Sequence, residues 1–163
     1  MIRPETEADR AAIDAVNVAA FGGRIEADLV KRLRADGDLV LSLVAEGNGR
    51  VVGHVAFSRL IVRDAAEERE AVSLAPLAVI PAFQRRGIGS ALVAAGHAAL
   101  REGGESLSIV LGEPTYYGRF GYSHARAAGF DSVYQGSDAF MALAFADAPF
   151  AGAVTFATAF AEL

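Results

Sequence analysis

The residues best suited to chemistry stand together at Gln84-Arg85-Arg86-Gly87-Ile88-Gly89-Ser90-Ala91. An apolar run ending at Ile80 precedes them, and apolar residues at helical spacing follow. A strand-to-helix junction of this kind turns backbone N–H groups outward where the helix dipole is positive. That is a site for an anion, phosphate above all. Gly87 and Gly89 lack a Cβ, so phosphate can approach the backbone closely. Arg85 and Arg86 add charge at the rim. Two general phosphate motifs fit poorly. A P-loop carries Lys-Ser/Thr after its last glycine, whereas Gly89 is followed by Ser90-Ala91. The dinucleotide fingerprint places a third glycine where this chain has Leu92, and it leaves its strand by a tight turn, not by Pro81-Ala-Phe-Gln-Arg-Arg86.

The bulk of the sequence narrows the chemistry further. Its 163 residues read as one domain, 1–163, with no repeat, low-complexity tract or linker. A net charge of −5 argues against a general nucleic-acid face. The absence of cysteine excludes a thiolate nucleophile and a cysteine-ligated metal, and no metal is expected. The start of the chain carries acids and no long apolar run. Asp147 and Pro149 interrupt the apolar C-terminal third well before the roughly 20 residues a membrane helix needs. The expectation is a cytoplasmic protein with no membrane or nucleic-acid partner.

Around the loop, the chain reads as alternating elements. Ile2-Arg3 forms a short strand. Thr6 caps a helix, with Asp9 as the acidic member of a capping box and Ile13, Val16, Ala20 and Phe21 at helical spacing. Gly22-Gly23 breaks this helix, a second runs from Ile25 to Ala35, and Gly37 ends it. Leu39–Glu46 and Arg50–Val62 form a hairpin about Gly47-Asn48-Gly49. Asp64–Glu70 reads as a solvated connection. Ala71–Ile80 is a strand in which Pro76, unable to donate to a ladder, marks a bulge. Gly87–Glu102 is a helix with Ile88, Leu92, Ala95, Ala99 and Leu100 on one stripe. Leu107–Leu111 reads as a strand covered on both faces, and strands follow near Phe140–Phe145 and Val154–Phe160. Phe140, Phe145, Phe156 and Phe160 read as core or sheet surface, where an exposed edge would support a homodimer.

The pattern Gln84-Arg-Arg-Gly87-Ile-Gly89-Ser-Ala91 resembles the Gln/Arg-x-x-Gly-x-Gly/Ala signature of the GNAT superfamily of N-acetyltransferases. Leu77-Ala-Val79 ahead of Pro81 and Tyr117-Gly-Arg-Phe-Gly121-Tyr122 are similar to further elements of that family, and the order of elements matches along nearly the whole chain. The resemblance implies an α/β (α+β) fold with a mixed, mostly antiparallel central sheet flanked by helices and splayed fourth and fifth strands. It implies acetyl-CoA as cosubstrate. The backbone of Leu77, Ala78 and Val79 would meet pantetheine, and Gln84, Arg85, Arg86, Gly87, Ile88, Gly89 and Ser90 would cradle the pyrophosphate. It also implies direct attack by a primary amine, from a small molecule or a peptide, with Tyr117 as the acid that protonates the leaving thiolate. The Asn that many relatives carry after the fifth strand is replaced by Gly112-Glu113-Pro114.

Glu113, His54 and His124 are candidate general bases, and the sequence selects none of them. Phe21-Gly-Gly-Arg24 lies where the family builds its acceptor pocket. Two alternatives to the enzyme stay open: a non-catalytic acyl-CoA-binding sensor of the same fold, and a dinucleotide-dependent enzyme. The acceptor amine, the length of the acyl group and the oligomeric state are not legible in the sequence.

Overall fold

The β-branched and large apolar runs between Leu39 and Leu111 assemble into the centre of an eight-stranded sheet in the computed structural model, which describes residues 1–163. The strands are β1 (Ile2–Pro4), β2 (Leu39–Gly47), β3 (Arg50–Arg63), β4 (Glu68–Val79), β5 (Leu107–Leu111), β6 (Phe130–Asp131), β7 (Phe140–Ala144) and β8 (Gly152–Phe156). The helices are α1 (Arg10–Phe21), α2 (Ile25–Ala35), α3 (Ile88–Glu102), α4 (Pro114–Gly118) and α5 (His124–Ala127). The main path is β1-β2-β3-β4-β5-β7, while β8 joins the outer end of β3 and carries β6. Only the β4–β5 and β6–β8 ladders are parallel, so the sheet is mixed and mostly antiparallel, as expected.

Alternation along β2 assigns the helices to opposite faces. Leu43 and Ala45 pack with Leu92 and Val93 of α3, whereas Val44 between them packs with Ile13 of α1 and Val30 of α2. A second apolar cluster, including Leu60, Ile109, Phe130 and Phe140, fills the far end of the sheet. The turns follow local chemistry. Asn48 and Gly49 both have positive φ, 53° and 76°, as a two-residue primed turn requires. Gly22 ends α1 at φ 75°, its N–H donating to Val18 O at 2.9 Å. Asp9 accepts from the Thr6 N–H at 2.7 Å in the short 3₁₀ turn that precedes α1.

Two strand boundaries and one helix face differ most from the sequence reading. β4 begins at Glu68 and not at Ala71: Glu68, Arg69 and Glu70 pair with Arg63, Val62 and Ile61, and their charges stay at the surface of a long hairpin. The connection shrinks to a tight turn in which the Asp64 carboxylate accepts from the Ala66 and Glu67 N–H groups at 2.8 and 2.9 Å. β8 ends at Phe156, opposite Leu60, because from Ser58 towards its N-terminus β3 gives that edge to β2; a 3₁₀ turn over Thr158–Glu162 follows. The buried face of α3 runs through Leu92, Val93, Gly96, His97 and Leu100, with Ala95 and Ala99 at its flank. Gly96 is needed there, since a Cβ would lie 2.5 Å from the Phe57 ring.

The position of Pro76 shapes the site. Phe57 pairs with Leu74 and Val55 with Leu77, so Ala75 and Pro76 together face Ala56, which is the bulge expected from the sequence. On its other side β4 pairs with β5 from Val72↔Ser108 to Leu74↔Val110 and no further. Beyond that point the two strands diverge.

Candidate active site

Two cavities open along the free end of β4 and meet at Leu77. The first, about 490 Å³, lies over the N-terminus of α3. The loop into that helix winds through left-handed backbone at Arg85 (φ 64°) and Gly87 (φ 82°). The N–H groups from Arg85 to Ser90 have no acceptor within the protein. Arg85 and Arg119 line this cleft, and no carboxylate does. On a chain with net charge −5, this is a local positive field built for an anion.

The neighbouring side chains hold the loop in place. Gln84 Nε2 donates to Val79 O at 2.9 Å, tying the loop to the end of β4. Arg119 Nη2 donates to Ser90 Oγ at 3.0 Å, and its guanidinium lies 4.8 Å from the centre of the Tyr116 ring. A Cβ on Gly89 would stand 2.7 Å from the Tyr116 hydroxyl, so glycine there admits both ring and ligand. Arg86 departs from the expected cradle: its guanidinium turns back over Phe83, 4.9 Å from the ring centre, and does not line the cleft.

The backbone of β4 divides by parity. Ile80 N–H donates to Val52 O. By antiparallel alternation, Ala78 therefore exchanges bonds with His54 across the ladder, while Leu77 and Val79 point their N–H and C=O groups at the gap. Of the three residues expected to meet pantetheine, Ala78 is buried and faces β3, and the other two face the opening.

The second cavity is a chamber of about 330 Å³ between β4, the α1–α2 turn and the C-terminal segment. Tyr117 lines it with a hydroxyl that makes no hydrogen bond, and burial pushes that group up to about 12. Gly112 makes the arrangement fit, because a Cβ there would overlap the Tyr117 ring. Glu113 caps α4, accepting from the Thr115 and Tyr116 N–H groups at 3.1 and 2.8 Å, and these bonds hold its carboxylate below the usual range. Gly112-Glu113-Pro114 thus starts a one-turn helix that sends Tyr116 to the cleft and Tyr117 to the chamber.

None of the three candidate bases lines the chamber. Glu113 is engaged as a cap. His54 is fully buried on β3, accepting from Asn17 Nδ2 at 3.1 Å and bonded to Ser42 Oγ at 2.8 Å; desolvation lowers its pKa to about 4. His124 opens α5, away from both cavities. From the α1–α2 turn only Phe21 reaches the chamber, and Arg24 pairs instead with Asp14 and Asp28. Phe156 and Phe160, expected as core or sheet surface, are part of the chamber wall.

Arg119 and Glu26 face the cavities without having been singled out in the sequence, whereas Tyr116, the alternative to Tyr117 as the tyrosine facing the site, lines the cleft while Tyr117 lines the chamber. For Arg119 the available signal was its place three residues after Tyr116 on a helical turn. Its partner Ser90 lies 29 residues away, a proximity that no local pattern encodes.

Residues 1–125 match the model of the acetyltransferase (GNAT) domain family. The N-acetyltransferase YhbS of Escherichia coli K12, itself uncharacterised, is 40% identical over 126 residues, covering 77% of this chain and 74% of its own. The crystal structure of E. coli YhbS in complex with CoA superposes with a TM-score of 0.90 at 36% identity, over 99% of this chain and 91% of that one. A GNAT family acetyltransferase from Brucella melitensis in complex with acetyl-CoA gives 0.82 at 37% identity, over 98% and 97%. With the splayed strands, the open loop and these matches together, the chain belongs to the GNAT family of N-acetyltransferases.

Proposed function

We propose that this chain, as one domain over residues 1–163, transfers an acetyl group from acetyl-CoA to a primary amine by direct attack. The observation that carries the reading is the run of unpartnered N–H groups from Arg85 to Ser90, opening beside the gap between β4 and β5. In this reading the run holds the diphosphate, with Arg85 and Arg119 supplying charge. Gln84 holds the loop, and Leu77 and Val79 present backbone groups to the pantetheine arm. Acetyl-CoA supplies an activated acyl group as a thioester. An N–H of Leu77 or Val79 can donate to the oxygen on which negative charge develops. Tyr117 Oη holds its proton at neutral pH and delivers it to the sulfur as the carbon–sulfur bond breaks. The proton lost by the attacking nitrogen leaves through water. No helix is long and apolar enough to cross a membrane; acetyl-CoA as cosubstrate makes the cytoplasm the compartment this reading implies.

Acetyl-CoA is expected to raise the melting temperature and to release free CoA when a panel of primary amines is added, followed with a thiol reagent. Stabilisation by acetyl-CoA without CoA release from any amine would favour a sensor over an enzyme. No stabilisation at all would refute the site.

A further inference from the structure

The chamber has a chemical character that acetyl transfer alone does not require. From it we infer that the acceptor is a small primary amine with an aromatic body and no α-carboxylate, its ammonium paired by Glu26. This rests on the transfer reading above.

Charge comes first. Glu26, in the first turn of α2, is the only charged side chain lining the chamber. The nearest cation in sequence, Arg24, is committed to Asp14 at 2.9 Å and Asp28 at 3.0 Å, so Glu26 faces the chamber without a basic partner there. In apolar surroundings a lone carboxylate attracts a cation and repels a second carboxylate.

The walls decide what carries that cation. Phe21 is 44% exposed and Tyr134 42% exposed, large rings left open on a chain whose other Phe and Tyr rings, Phe150 apart, are buried or half-buried. Phe156 stands edge-on to Tyr134 at 6.1 Å and 81°, and Phe160 lies 5.8 Å beyond it. Rings so disposed offer faces and edges to another ring. Apart from Glu26, the polar side chains of the wall are Ser73 and the two tyrosine hydroxyls. A polyhydroxylated or polycationic amine would leave most of its polar groups unpaired there, a penalty that dominates specificity in sites of this kind. The volume, about 330 Å³, is at the small end for ligand sites and is shared with the acetyl end of the cosubstrate.

The test compares kcat/KM for phenethylamine, phenylalanine, spermidine, an aminoglycoside and a peptide with N-terminal phenylalanine, each at saturating acetyl-CoA. Phenethylamine is expected to lead, and to exceed phenylalanine by about tenfold or more because the two differ by the carboxylate that Glu26 repels. Glu26→Gln should raise KM for phenethylamine about tenfold and narrow its advantage over phenylalanine, with the Kd for acetyl-CoA unchanged. The inference is overturned if spermidine, the aminoglycoside or the peptide leads, or if Glu26→Gln leaves the phenethylamine-to-phenylalanine ratio intact. Binding of acetyl-CoA with acetylation of none of these amines also overturns it. Failure to bind acetyl-CoA strikes instead at the transfer reading beneath it.

Discussion

Tyr116, Tyr117 and Tyr122 lie within one short stretch and have three different surroundings. The Tyr122 hydroxyl is buried and shared between His97 Nε2 at 2.9 Å and Ser108 Oγ at 2.8 Å, so it ties α3 to β5 and has no capacity left for a ligand. Tyr116 supports Arg119 at the cleft. Tyr117 alone combines an unpartnered hydroxyl with a place in the chamber. A phenol pushed up to about 12 remains protonated far above neutrality, so it keeps a proton to donate. The leaving thiol has a pKa of about 8.5, so transfer to the free thiolate is uphill. The phenol donates as the carbon–sulfur bond breaks and regains a proton through water from the nitrogen that attacked. Tyr117→Phe is expected to lower kcat by about a hundredfold while the Kd for acetyl-CoA holds. Wild-type activity should climb from pH 7 to 9 as the amine loses its proton, with no falling limb from Tyr117 in that range. Steady-state kinetics with a direct binding measurement check both expectations, and an unchanged kcat in Tyr117→Phe removes the residue from the chemistry.

Between β4 and α3, two local devices make the site. The Ala75-Pro76 bulge ends the β4–β5 ladder at Leu74, and the left-handed turn at Gly87 aims the free N–H groups of α3 at the opening. Gly87 has open space where a Cβ would stand, so replacing it tests conformation without a clash. Gly87→Val requires a β-branched residue at φ 82°, where L-residues are disfavoured by roughly 1–2 kcal/mol. The loop should relax away from that geometry and weaken acetyl-CoA binding by about tenfold or more, with only a small fall in melting temperature. Calorimetric titration and thermal unfolding separate the two effects. Full affinity in Gly87→Val would show that the N–H run does not hold the ligand.

Across the molecule, binding chemistry and stability are supported by different ionisable groups. Many of the acids are paired at the surface or act as caps, Glu26 stands unpaired in the chamber, and none enters the cleft. His54 is locked between α1 and the sheet in its neutral form, with its pKa lowered to about 4 from 6.5. An unfolded chain takes up that proton first as pH falls, so stability is complete above about 6.5 and is lost progressively towards pH 4. A shift of this size corresponds to about 3 kcal/mol. Denaturant unfolding at pH 7, 6, 5 and 4.5 should show this decline, and His54→Gln, which cannot titrate, should reduce its slope, the remainder coming from His97, which burial lowers to about 4 as well. An equal slope in the variant would move the effect to other groups.

Much of the fold was legible because its signals are local. Asn48-Gly49 dictates the hairpin, Gly22-Gly23 separates two helices, Pro76 interrupts a ladder, and Gln84–Ser90 presents N–H groups at a helix start. Each follows from backbone sterics or hydrogen-bonding capacity over a few residues, and the resemblance carried by Gln84–Ala91 pointed to the family. Long-range packing decided the rest. Side-chain direction turned Arg86 onto Phe83 and brought Arg119 to Ser90, and ladder parity gave Leu77 and Val79 to the gap while turning Ala78 away. His54, on paper a candidate base, became a buried structural group because α1 places Asn17 over it. The chamber unites residues from Phe21 to Leu163, which meet only once the sheet has formed. The sequence by itself therefore determined which coenzyme chemistry the chain supports, whereas tertiary contact determined which side chains face the cleft and the chamber, because those side chains come from elements far apart in the chain.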